Sequence, residues 1–220
     1  MEEWFVPPNQ RVLAHTIVSN YGYDQTGQVQ YQFNQQGFRS PEFVPDRSVF
    51  FLGNSITFGI GLNRPASFAD QVSQQINRPY GNLGLGCFYH ENHDHLLNLT
   101  NLLARDQDDI FVIQINNLDR NRVNSNLVIA NNNKKYCEQR FLDYFDQITT
   151  MLKYRQKLFL YWDEMEYNIP ESIQKEFLIY NKFHFDQSLS DNASTFGAAS
   201  HTAIAKTLSS KIRQFDQSCT

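Results

Sequence analysis

Three short apolar runs constrain the fold more than any other feature of this chain. They are Ser48-Val49-Phe50-Phe51-Leu52, Asp109-Ile110-Phe111-Val112-Ile113-Gln114-Ile115 and Lys157-Leu158-Phe159-Leu160-Tyr161-Trp162. Each is nearly continuous in apolar residues, so each strand must be covered on both faces. Parallel sheets between helical layers provide that environment. The intervening segments carry helical spacing. Ala66 to Ile76 is one, and Ala198 to Ile212 is another. Lys135 to Tyr154 places Phe141, Tyr144, Phe145, Ile148 and Leu152 three and four residues apart, which marks a core face. His93 to Leu103 reads as a leucine-rich amphipathic helix, and Ser172 to Asn181 also reads as helical. Weaker strands are expected at Tyr80 to Leu85 and Phe183 to Phe185. The alternation predicts a three-layer α/β/α domain, with a parallel sheet and helices on both faces.

The first 46 residues carry few helical signals. Gly27-Gln28-Val29-Gln30-Tyr31-Gln32-Phe33 alternates as a half-buried strand, and Asn34-Gln35-Gln36-Gly37 reads as a turn. We expect residues 1–46 to form an extension packed on a main domain of residues 47–220. The 220 residues suit one such domain, which can bury a core without disulfide or metal staples.

Charge narrows the function. The formal net charge is −4, which leaves no footprint for nucleic acid. No apolar run approaches the roughly 20 residues of a membrane span. The start, Met1-Glu2-Glu3-Trp4-Phe5-Val6-Pro7-Pro8, does not read as a signal peptide. Three scattered cysteines, Cys87, Cys137 and Cys219, make no disulfide framework. A cytoplasmic location is the expectation.

In open parallel sheets the ligand site lies beyond the carboxyl ends of the strands. After the first strand comes Gly53-Asn54-Ser55-Ile56-Thr57. A serine on a tight strand-to-helix turn presents a hydroxyl at the sheet edge and a free backbone amide, as acyl transfer requires. The bland alternative is a helix N-cap. Thr57 stands where the Gly-x-Ser-x-Gly elbow has its last glycine, so that elbow is absent.

Phe51-Leu52-Gly53-Asn54-Ser55-Ile56-Thr57-Phe58-Gly59 resembles the first block of the SGNH (GDSL-like) hydrolases. The upstream run YQFNQQGFRSPEF resembles the lead-in of many members. Asn82-Leu83-Gly84-Leu85-Gly86 resembles the second block, one residue short. The resemblance thus makes Gly86 or Cys87 an oxyanion-hole amide. Gln114-Ile115-Asn116-Asn117 falls where the family has Gly-x-Asn-Asp. This implies Asn116 (or Asn117) as a side-chain donor, with Gln114 replacing the glycine. The resemblance implies a flavodoxin-like sheet of five parallel strands and a Ser55 nucleophile. It also implies an esterase or acyl hydrolase acting on an ester of a small molecule or glycan, with no cofactor. The same machinery serves acyltransferases.

The fourth block, Asp-x-x-His, fits in two registers. In the first, His201 is the base and Ala198 stands at the aspartate position, so the site is either a Ser-His dyad or one in which Asp191 orients the ring from an unusual spacing. In the second, His201 is a structural histidine six residues further on, and the catalytic pair falls on Asn192 and Thr195. Six helical residues span about 9 Å, so the two positions are not equivalent. In that register the domain is either an inactive binding module or takes its base from elsewhere.

His90-Glu91-Asn92-His93-Asp94-His95 is rich in metal-ligand types but is not His-Glu-x-x-His. We read it as the polar start of a helix, with no metal assigned. It directly follows the second block, so His90 or His93 is a further candidate base. Cys87 reads as a small buried hydrophobe rather than a nucleophile. The acids of Trp162-Asp163-Glu164-Met165-Glu166 read as a solvated loop. The sequence leaves oligomeric state unread.

Overall fold

The structure is a computed structural model that describes residues 11–13, 29–44, 47–53, 55–84, 108–115, 134–152, 156–161, 170–171, 178–180 and 197–218. Near the start, β1 (Arg11–Leu13) pairs antiparallel with β2 (Gln30–Gln32). The main sheet uses β3 (Val49–Gly53), β4 (Tyr80–Gly84), β5 (Ile110–Ile115), β6 (Gln156–Tyr161) and β7 (Leu178–Tyr180). They run in the order β4-β3-β5-β6-β7, and each neighbouring pair is parallel. The parallel α/β architecture expected from the apolar runs is present. The chain order reverses between β3 and β5, which makes their carboxyl ends the topological switch point.

Four α-helices accompany the sheet among the described residues: α1 (Ser55–Phe58), α2 (Phe68–Ile76), α3 (Lys134–Met151) and α4 (Ala198–Ser218). A 3-10 turn, Arg64–Ala66, leads into α2. Helices α2 and α4 pack on each other and on one face of the sheet. Their shared core comprises Val49, Phe51, Tyr80, Ile110 and Val112 from the strands, with Phe68, Ala69 and Val72 from α2 and Ile204, Ala205, Leu208 and Ile212 from α4. The α4 set recurs at three- and four-residue intervals, as a helix with one buried stripe requires. Arg78 and Asp216, 2.9 Å apart, tie the chain just after α2 to the end of α4.

Side chains alternate along a strand, so Phe50 and Phe111 occupy the opposite face. Their rings stack at 5.3 Å, and Phe43 of the N-terminal segment meets Phe50 edge-on at 6.1 Å. That face also carries Gly81, where a Cβ would lie 2.6 Å from the Phe50 ring.

One expectation is corrected. Leu178–Tyr180, read as part of a helix, is a strand paired with Phe159–Tyr161. A short apolar run fits either state, and the open edge of β6 supplies backbone partners that local propensity does not register. The strand expected at Phe183 to Phe185 and the helix at His93 to Leu103 lie outside the described residues. Among those described, no helix is long and apolar enough to cross a membrane.

The segment before β3 is anchored by Arg39, a buried cation. Its Nη1 donates to the carbonyls of Phe58 at 2.6 Å and Gly59 at 2.5 Å, and its Nη2 donates to that of Leu62. The guanidinium also lies over the Tyr31 ring at 4.3 Å and the Phe58 ring at 5.3 Å. The carbonyl of Phe58 at the end of α1, and those of Gly59 and Leu62 just beyond it, meet a positive charge, the sign that suits the negative end of a helix. Burial lowers the Arg39 pKa to about 10 against the raising influence of Tyr31, so the group stays charged at neutral pH. Gly59 makes room for it: its φ is +76°, and a Cβ there would lie 2.9 Å from Nη1. Arg39→Met removes the donors and leaves three carbonyls without them. The expected loss is about 3–5 kcal/mol of folding free energy, measured by urea unfolding. Arg39→Lys should recover only part of it, because one ammonium cannot reproduce the planar fork.

Candidate functional site

The site is built at the carboxyl ends of β3, β4 and β5. Strand β3 lies between the other two, in register with both: Phe51 is opposite Asn82 and Val112, and Leu52 is opposite Leu83 and Ile113. Strands β3 and β4 therefore end together, and β5 runs on to Ile115 at the same edge. Ser55 is the first residue of α1, two residues beyond the end of β3. Gly86 lies two residues past β4, and Asn116 one residue past β5. The topology brings the chain at Ser55 to the strand ends from which both oxyanion candidates emerge. Gly86, Cys87, Asn116, Asn117, Asp191, His90 and His93 all lie outside the described residues.

The turn that begins at Ser55 is held by buried polar side chains. The Thr57 hydroxyl donates to Gln114 Oε1 at 2.7 Å, and Asn82 Nδ2 donates to the Thr57 carbonyl at 2.8 Å. Asn82 Oδ1 accepts from the Gly84 amide at 2.9 Å. The Asn82 amide donates to Ser40 Oγ at 3.0 Å, which joins the N-terminal segment to the same cluster. Thr57, Asn82 and Gln114 are no more than 3% exposed. Two glycines allow the close approach. A Cβ on Gly53 would fall 2.2 Å from Thr57 Oγ1, and one on Gly84 would fall 2.2 Å from the Phe58 amide nitrogen. Gln114 is therefore part of the packing beside the serine turn. Nothing in the local sequence marks Thr57, Asn82 or Arg39 as site-building residues beyond their place in runs that resemble the SGNH blocks.

His201 lies in the first turn of α4 and is 1% exposed. Its Nδ1 accepts a hydrogen bond from the Phe68 amide at 3.0 Å. Phe68 opens α2, where the first amides have no partner within the helix. The Ser67 hydroxyl accepts from Asp70, and His201 takes the Phe68 donor that the cap leaves over. The imidazole also stacks on the Phe68 ring, with centroids 5.5 Å apart. Burial first, and then the charge of Arg39, push the His201 pKa down to about 3. A neutral ring that accepts at Nδ1 carries its proton on Nε2. In that state neither nitrogen offers a lone pair to a serine hydroxyl. This bonding is that of a histidine clamping two helices.

Close by, the Tyr80 hydroxyl donates to Asp70 Oδ1 at 2.8 Å, and Gln74 Nε2 donates to Asp70 Oδ2 at 2.6 Å. Burial, then the Asp70 charge, raise the Tyr80 pKa well above its ordinary value. This cluster braces α2 against β4.

No protein-family model and no curated protein sequence matches the chain. Solved structures similar in fold include the following three. One is a carbohydrate esterase whose active site is described as having divergent catalytic and non-catalytic binding functions. It aligns at TM-score 0.56 and 14% identity over 79% of this chain and 67% of that one. The second is an acetyl xylan esterase from the rumen bacterium Butyrivibrio proteoclasticus, at 0.53 and 16% over 79% and 65%. The third is a lipolytic protein of the G-D-S-L family from Desulfitobacterium hafniense, at 0.50 and 14% over 74% and 98%. The chain spans about two thirds of the two carbohydrate esterases and nearly all of the third protein. At such identities the likeness is one of fold, and function has to be argued from the site.

The depressed His201 pKa has a consequence for stability. The unfolded chain binds a proton at this residue near pH 6.5, whereas the folded chain does so only near pH 3. Between these values the unfolded state holds more protons, so stability rises with pH. The contribution is complete above pH 6.5 and is lost as pH falls towards 3, at most about 4–5 kcal/mol. His201→Asn keeps an acceptor for the Phe68 amide and removes the titration. Denaturant unfolding between pH 7 and pH 4 should show a shallower decline for the variant than for the wild-type chain. Equal declines would refute the assignment.

Proposed function

We propose that this chain is a serine esterase of the SGNH type, acting on an acyl ester of a small molecule or a glycan. The observation that carries the reading is the position of Ser55. It opens α1 directly after β3, at the switch point, with the ends of β4 and β5 alongside. The fold likeness to carbohydrate esterases and a G-D-S-L protein supports the reaction class.

In this reading the Ser55 hydroxyl attacks the ester carbonyl and gives its proton to a base. The tetrahedral oxyanion is held by the amides of Ser55 and Gly86 (or Cys87) and by the Asn116 side chain. The base returns the proton to the departing alcohol, and water then releases the acyl group by the same route. The bonding of His201 supports the register in which it is structural. We therefore assign the base to His90 or His93, in the segment that follows β4; Asp191 would orient the ring only in the register where His201 is the base. A second reading, a binding module without catalysis, draws support from the same His201 bonding, since in the register it favours the catalytic pair falls on Asn192 and Thr195.

A fluorophosphonate probe separates the readings. The wild-type chain should be labelled, and Ser55→Ala should abolish labelling. Loss in His90→Ala or His93→Ala, with labelling retained in His201→Asn, would support the assignment of the base. Loss in folded His201→Asn alone would return that role to His201. A folded wild-type chain that never reacts would leave the binding module as the function.

A further inference from the structure

We propose that Thr57 is a positioning residue, and that with Asn82 and Gln114 it sets the distance between the nucleophile and the two oxyanion donors. The inference rests on the reading of Ser55 as nucleophile. Thr57 is two residues beyond Ser55, on the single turn of α1. Its hydroxyl is bonded to Gln114 of β5, and its carbonyl to Asn82 of β4. Asn82 lies four residues before Gly86, and Gln114 two residues before Asn116. One residue of the serine turn thus touches both strands that lead toward Gly86 and Asn116.

The geometry leaves little slack. Asn82 bonds at both ends of its amide, to Thr57 and to the Gly84 backbone, so it cannot turn without breaking one bond. Gly53 leaves no room for a Cβ beside the Thr57 hydroxyl and the Gln114 side chain. A helix of four residues has little internal support, and its orientation depends on what grips it from outside. Arg39 grips its end through carbonyls. Thr57 supplies the grip that refers the helix to β4 and β5.

Misplacing a reacting atom by about 1 Å can cost a factor of about 100 in rate. Thr57→Val keeps the shape and the carbonyl but removes the hydroxyl. Its kcat on p-nitrophenyl acetate and its rate of fluorophosphonate labelling should fall at least about tenfold, with KM within about twofold. Thr57→Ser, which restores the hydroxyl, should recover most of the rate. Gln114→Leu breaks the same bond from the other side and should match Thr57→Val, with the double variant no worse than either. Circular dichroism checks that each variant folds, and Gln114→Leu carries the test if Thr57→Val does not. Wild-type rates in folded Gln114→Leu or Thr57→Val, no rescue by Thr57→Ser, or multiplying losses would overturn the positioning role while the serine esterase stands. A folded wild-type chain inert to both reagents would overturn the esterase reading, and this inference with it.

Discussion

The site depends on the in-register parallel pairing of β3 with β4 on one side and β5 on the other. Parallel pairing places all three carboxyl ends at the same edge, and the reversal of chain order at β3 makes the exiting chains diverge there. A shift of one residue in this register would turn Phe51 and Val112 out of the α2–α4 core. It would also separate Thr57 from Gln114. Burial of the strands on both faces is thus what holds the serine turn in place.

The turn itself contributes little to its own order. Its first helix has four residues, and the carbonyls at and just past its end take a charged donor from Arg39. The protein places a desolvated guanidinium there, against two aromatic rings and three carbonyls. Breaking such an arrangement is costly because the partners left behind stay buried. The N-terminal segment is in this sense part of the site. Tyr31 adds to it, since its hydroxyl accepts from the Gly61 amide at 2.9 Å.

Much of the architecture was legible in the sequence. Val49–Gly53 and Ile110–Ile115 are apolar throughout or nearly so, and a strand buried on both faces writes itself that way; Leu158 to Tyr161 marked the next strand by the same pattern. The core stripe of α4 was legible for the same reason, since burial on one face imposes a period near 3.6. Leu178–Tyr180 was misread because three apolar residues have no period, and a neighbouring strand edge decided their state. The place of Ser55 at a strand-to-helix turn was also legible, since Gly53 marks the strand's end and the helix follows directly.

Sequence by itself determined the parallel α/β plan and the position of Ser55 in it, because both follow from local pattern and chain order. Tertiary structure alone decided what surrounds that serine. Thr57, Asn82, Gln114 and Arg39 come from four separate segments, and their hydrogen bonds exist only once the strands are aligned. His201 makes the point most directly. Its residue type and its place in the fourth block left two registers open. The amide of Phe68, 133 positions away in the chain, occupies its Nδ1 and gives it the bonding of a clamp between helices. A histidine's chemistry is set by which nitrogen is engaged and how deeply the ring is buried, and neither is written in the residues beside it.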